Sequence, residues 1–342
     1  KPYFSGGFMK SRIWKYVMAI VFALFLCGCG NGEAESARDT ERKSKEEFTS
    51  EASSDGHETE QQPFENLKTK RFYFSSGAGA WATTLVIRAD GSFSGEHLDD
   101  DMGDTGDEYP NGTRYQSKFN GRFSQPVKVN DYTYSMQVDL LQYEREPDTQ
   151  EIIDGVRYCY GKAHGLDEAD QMLLYLPDAP MEELPEEFKS WTDVNWAPDV
   201  STDKLSFYGL YNETMQFGFS SSDIIEDAKQ MLSSVEEQVS VLENSISQDP
   251  LTQADYNEKT KEIYDLWDDA LNMIWKSLKE TKSADEMQTI SKEEKEWISF
   301  KEQETEKAGA GYEGGTMYSM IVNQKAAELT KARVYELLEL LE

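Results

Sequence analysis

Few residues in this chain have the capacity for chemistry: three cysteines, three histidines and a large excess of carboxylates. Cys159 sits in the alternating run Val156-Arg157-Tyr158-Cys159-Tyr160 and is expected as a small buried hydrophobe. His164, five residues on, is the nearby candidate base, but no acid partner is evident, so a Cys/His nucleophile pair is disfavoured. The acidic segment Asp99 to Glu108 offers many oxygen ligands, which is what Ca²⁺ requires. Its spacing is not that of a helix-loop-helix calcium loop, and a solvated hairpin loop is the preferred reading. The glycine-rich stretch Ala308 to Thr316 lacks the Lys-Ser/Thr ending of a phosphate-binding loop. It is read as a helix connection that offers Tyr312 and Glu313 to a partner. No Ser/His/Asp arrangement and no cluster of histidine ligands is evident, so an enzyme, a metal and a cofactor are all disfavoured.

The N-terminus carries a different kind of chemistry. The chain opens Lys1-Pro2-Tyr3, and the recognisable order begins at Met9: basic Lys10, Arg12 and Lys15, an apolar stretch Val17 to Leu26, then Leu26-Cys27-Gly28-Cys29. That is the layout of an export signal, and its apolar run is too short to span a bilayer alone. The last four residues resemble the lipobox of bacterial lipoproteins. The resemblance implies cleavage before Cys29 and a diacylglyceryl group on that thiol, hence an extracytoplasmic protein held on the cell membrane through its lipid anchor. Cys159 is then the remaining free thiol, and no internal disulfide is available.

The chain has a net charge of −31, and all four charges within residues 1–28 are positive, so residues 29–342 are more acidic still. Such a chain is a poor match for nucleic acid, whose binding rests on neutralised phosphates, and a good one for a basic protein.

The elements that must position these residues change in character along the chain. Residues 29–67 are rich in Glu, Ser, Lys and Thr and read as a disordered tether. Residues 68–221 follow a period of two: Thr133 to Leu140 alternates without a break, and similar runs cover Trp81 to Ile87, Tyr115 to Phe119, Met172 to Leu176, Leu205 to Tyr211 and Met215 to Phe219. Asp90-Gly91 and Asp154-Gly155 supply hairpin turns. An antiparallel β-barrel or sandwich is expected. From 222 to 248 the period shifts: Ile225, Ala228, Leu232, Val235, Val239, Leu242 and Ile246 mark the seam of a heptad helix, with Ser222 as expected N-cap and Asp249-Pro250 as stop. Residues 249–342 carry three more amphipathic patterns, with Ser291-Lys292-Glu293-Glu294 expected as a capping box and Thr316 as the last cap. The fold class expected is α+β multidomain, an antiparallel barrel or sandwich followed by an all-α helical domain.

Within that last part, Gln253-Ala254-Asp255-Tyr256-Asn257, Leu271 to Leu278, Glu296 to Lys301, Gly315-Thr316-Met317 and Ala327 to Arg333 resemble the lysozyme-inhibitor LprI domain family of bacterial lipoproteins. The resemblance covers about residues 250 to 341. Family members follow the tryptophan with an Arg-Asp pair, where Lys301-Glu302 stands here, and commonly carry a cysteine pair that this sequence lacks. The resemblance implies a helical domain that binds lysozyme or a related basic wall hydrolase. The alternative is a small-ligand or wall-component binding module with its site in the β-domain, which a sizeable apolar cavity there would favour.

Overall fold

The computed structural model describes residues 63–77, 81–192 and 203–342. Cys29, the expected export signal and residues 29–62 of the expected tether lie outside the described residues, whereas residues 63–67, expected as the end of that tether, are ordered. The first element is a 3₁₀ turn, Pro63–Leu67, whose Phe64 and Leu67 are fully buried. Twelve strands come next among the described residues: β1 Lys70–Ser75, β2 Trp81–Ile87, β3 Ser92–Asp101, β4 Thr113–Phe123, β5 Val127–Lys128, β6 Thr133–Met136, β7 Val138–Tyr143, β8 Thr149–Ile153, β9 Val156–Tyr160, β10 Met172–Tyr175, β11 Gly209–Asn212 and β12 Phe217–Asp223. A short helix α1, Glu186–Trp191, lies between β10 and β11. Four long helices complete the chain: α2 Ile224–Gln248, α3 Gln253–Thr281, α4 Ala284–Gly309 and α5 Tyr318–Leu341.

The pairings run in a ring. β1, β2, β3 and β4 form an antiparallel meander, and β10, β11 and β12 form another that returns to β1. The link between the two is β6–β7, one stretch interrupted only at Gln137. Its first half pairs with β10 and its second half with β4. The sheet thus curls on itself into a half-barrel, as the barrel alternative predicts, with β5 and β8 at its ends. β8 and β9 stand apart as a hairpin whose second strand runs parallel to the start of β4.

The interior is set by register, because directly paired residues share a face. Ile87, Phe93 and Gly121 make one row, and Leu85, Gly95 and Phe119 the next. Gly121 is required there: a Cβ would lie 2.4 Å from the Phe93 ring. Phe72, Phe74, Phe123, Leu174, Leu210 and Phe219 fill the rest of this apolar bore. Two rows further along, the interior becomes polar, with Thr83, His97 and Ser117 and then Trp81, Asp99 and Tyr115. A plug closes that end: Ala163 and Leu166 are buried, and the carbonyls of His164 and Gly165 accept hydrogen bonds from Thr83 Oγ1 (2.8 Å) and Asn212 Nδ2 (3.0 Å).

Three local expectations are corrected. Asp99 to Asp101 are part of β3, paired with Tyr115, Arg114 and Thr113, and Asp100 and Asp104 are neutralised by Arg114 and Arg157. Cys159 is half-exposed, level with Tyr115 of β4, and it is its neighbour Tyr158 that is buried. Leu205 to Tyr211 is a strand only from Gly209; Leu205 is buried instead in a small side cluster around Phe188 of α1.

The helices pack on the outside of the barrel. Val86, on the outer face of β2, belongs to the same apolar cluster as Ile224, Trp267, Leu278 and Leu337. Beside it Arg71 of β1 forms an ion pair with Glu280 of α3 and hydrogen bonds to Tyr73 (3.2 Å). Among the described residues no helix is long and apolar enough to cross a membrane.

The polar end of the bore is titratable. Burial, aided by neighbouring His164, lowers His97 from 6.5 to about 4. A base depressed by folding favours the native state above its unfolded value, and that stability is lost as pH falls through the folded one. Unfolding free energy should therefore fall between pH 6.5 and about 4. Denaturant titrations across that window should show a shallower fall in His97→Gln than in the wild type.

Candidate partner-binding surface

The helical region is held by a seam of small residues. In α5 the buried positions are Ala326, Ala327, Thr330, Val334, Leu337 and Leu341, and in α3 they include Thr260, Trp267, Ala270, Ile274, Ser277 and Leu278. Alanine, serine and threonine at these positions let two backbones approach closely, and among the described residues α3 and α5 are the most closely packed pair of helices. α2 covers them with Leu232, Val235 and Val239, and its Glu236 accepts a hydrogen bond from Tyr335 of α5 (2.7 Å).

The helix ends are set by their caps. Thr252 and Ser283 each form a reciprocal capping box, with Asp255 and Glu286 respectively. The second of these replaces the expected box at Ser291. The Ser-x-x-Glu signature occurs at both places; the chain leaves α3 at Lys282, so the first match starts α4 and the second falls inside it. Asp223, rather than Ser222, caps α2, accepting from Ile225 N and Glu226 N. α5 is preceded by Met317 without a side-chain cap, and Thr316 instead gives its carbonyl to Asn257 Nδ2 (3.0 Å).

Glu294 is only 6 % exposed, and its Oε2 accepts from Arg333 Nε (2.9 Å). Arg333 also reaches Glu336 and lies over the Trp297 ring. Lys301 also lies over Trp297, its Nζ 5.0 Å from the ring centroid, and donates to Tyr264 Oη (3.2 Å). Tyr264 in turn donates to Asp268 (3.1 Å). A belt of alternating charge and ring surface thus ties α3, α4 and α5 together. Burial raises the Glu294 carboxyl against the opposing pull of Arg333, and burial beside Asp268 and Asp265 raises Asp269.

The loop between α4 and α5 is the other feature. Tyr312 and Glu313 lie in it, both exposed, on two consecutive turns closed by Tyr312 N to Gly309 O (2.8 Å) and Gly315 N to Tyr312 O (2.9 Å). Gly314 has φ +71, a left-handed value that favours glycine. Asn257, near the start of α3, pins the loop, whereas Ser277 and Glu280, near its end, meet Arg71 of the barrel. At 1.5 Å per residue these two regions are separated by roughly 30 Å of helix. The loop therefore stands at the end of the helical region remote from the barrel junction. Met317 beside it and Ile298 and Phe300 on α4 leave apolar side chains in solvent.

Residues 245–337 match the family model described as lysozyme inhibitor LprI. The matched region starts at the end of α2, contains all of α3 and α4, and ends within the last turns of α5. It therefore includes the belt around Trp297 and the Tyr312 loop. The chain matches no curated protein and no solved structure. The LprI description is that of an inhibitor, a protein that acts by binding another protein. Trp297, Lys301 and Arg333 fall in segments that carry the family resemblance, but their meeting with Glu294 is not visible in sequence, because Glu294 and Arg333 are far apart in the chain and meet only when α4 lies along α5.

A carboxyl raised by folding favours the native state at low pH, and that contribution is lost as pH rises through its elevated value. For Glu294 the loss starts above 4.5. The difference in unfolding free energy between wild type and Glu294→Gln should therefore shift against the wild type as pH rises from 4.5 towards neutrality, measured by denaturant titration at each pH.

Proposed function

We propose that this chain is a lipid-anchored cell-envelope protein whose LprI-like region binds and inhibits a basic wall hydrolase of the lysozyme type. The observation that carries the reading is the family match over residues 245–337. The exposed loop at the far end of that region and the net charge of −31 support it physically. Acidic complementarity speeds encounter with a basic protein, whereas inhibition requires in addition a segment that fills the cleft. The loop with Tyr312 and Glu313 has the form for that: an aromatic side chain and a carboxylate on a tight double turn, clear of the barrel. The role is binding rather than catalysis.

Titration of the protein into a lysozyme turnover assay should abolish activity at excess inhibitor, and inhibition should weaken as salt rises past 0.15 M, where the screening length falls below ~8 Å. Tyr312→Ala and Glu313→Ala should each weaken inhibition while leaving the melting temperature unchanged. Full lysozyme activity at a large excess of this protein, or equal binding to a basic protein that is not a hydrolase, would refute the reading.

Anchoring at Cys29 is tested separately. In the expressing cell, Cys29→Ala should move the protein from the membrane to the soluble fraction, and the wild-type N-terminal peptide should carry an acyl mass. Unchanged partitioning together with an unmodified wild-type peptide would exclude the anchor.

A further inference from the structure

The polar end of the barrel carries a cleft of about 660 Å³, a size suited to a small ligand. One register row builds its wall: Trp81 faces Asp99, Asp99 faces Tyr115, Tyr115 faces Cys159, and Cys159 faces Gln150. The plug supplies the rest, including Lys162, His164 and Asp167. This is a polar and aromatic cleft on top of a filled bore, not the apolar cavity expected of a barrel that carries a hydrophobic ligand.

Its hydrogen-bonding character can be worked out atom by atom. The Thr83 hydroxyl has one proton, and it goes to the His164 carbonyl (2.8 Å), which can only accept. Thr83 Oγ1 must then accept from His97 Nδ1 (2.9 Å), so the proton of His97 sits on Nδ1 and Nε2 is a bare acceptor. The ring of His164 stands 5.3 Å from that of His97, centroid to centroid. Burial lowers the pKa of both imidazoles, which keeps both uncharged near neutral pH. Asp99, Asp148 and Asp167 line the cleft against the single cation Lys162, and among the described residues none of the four is in an ion pair. One carboxylate oxygen of Asp167 is buried with no hydrogen-bond partner. Trp81, Tyr115 and Tyr160 add ring surface.

The cleft therefore has acceptors in excess of donors, carboxylates in excess of cations, and aromatic faces beside both. An anion is repelled by that wall. A neutral polyol would meet the acceptors and leave the charge uncompensated. An ammonium group meets both, and an attached carbon stem finds the rings. We propose that this cleft binds a small organic amine in its ammonium form, the charge against the cleft's carboxylates and the stem against Trp81 and Tyr115. The site is separate from the helical partner surface and does not depend on the inhibitor reading.

Three matched five-carbon probes test this on the full chain by calorimetry: 1,5-diaminopentane, 1,5-pentanediol and glutarate. The diamine should saturate a single site, and the diol and glutarate should give no saturable signal. Asp99→Asn and Trp81→Leu should each weaken diamine binding about tenfold, equivalent to ~1.4 kcal/mol. Diffuse attraction to a chain of net charge −31 loses little when one charge is removed, so a tenfold loss identifies the cleft. If Trp81→Leu lowers the melting temperature, the isosteric Asp99→Asn decides. Diamine affinity unchanged in Asp99→Asn, saturable binding of the diol with equal affinity, or no saturable diamine binding would each overturn the proposal.

Discussion

One carboxylate joins the two halves of this molecule. Asp223 is the last residue of β12, paired with Lys70 of β1, and α2 begins at the next residue. Its Oδ1 accepts from Ile225 N (2.9 Å) and Glu226 N (3.2 Å), satisfying helix donors that have no intrahelical partner. Its Oδ2 meets Lys70 and Thr69 Oγ1 (3.3 Å) on the neighbouring strand. The hydrogen bond and charge of Lys70 and the helix N–H groups hold the carboxyl below its ordinary value despite partial burial. The strand thus becomes a helix with no loop between, and Ile224, fully inside the helical cluster, is fixed relative to Val86 of the barrel. A connection without slack keeps the start of α2 close to β12, and Arg71 of β1 meets α3.

The helical packing depends on residues that hydrophobic pattern alone undervalues. Ile321 and Leu329, large apolar residues of α5, are only half-buried. The buried line is Ala327, Thr330, Val334, Leu337 and Leu341, which steps by three and four. Its N-terminal half is alanine and threonine, small side chains that allow α3 to lie close. Small residues carry weak hydropathy, so a seam of this kind is legible in spacing but not in residue size. α2, which buries Leu232, Val235 and Val239, is legible in full at these positions.

The barrel shows the same division. Period-two runs locate β2, β9 and β10 and parts of β4 and β12, because successive side chains along a strand point to opposite faces. Ring closure is not legible, because it rests on which half of the β6–β7 stretch meets β4 and which meets β10. The cleft is hidden for a related reason: Trp81, Asp99, Tyr115 and Cys159 come from four strands and form a row only through register. Each of those residues looks ordinary alone, and Cys159 looks like core.

The polarity gradient inside the barrel explains why a small fold can carry such a cleft without losing its core. Phenylalanines and aliphatic residues fill the bore up to Leu85 and Phe119, burying enough apolar area to stabilise the ring. Above that level Thr83 and Asn212 bind the backbone of the plug, so buried hydroxyl and amide groups are satisfied by the segment that covers them. The same Thr83 bond that pins the plug also fixes the proton on His97. One hydroxyl therefore sets both the plug's hydrogen bond and the tautomer of His97. Displacing the plug would free Thr83 to donate to His97 instead, leave Nε2 as the protonated nitrogen, and turn an acceptor into a donor. Cleft chemistry and barrel closure are coupled through that single side chain.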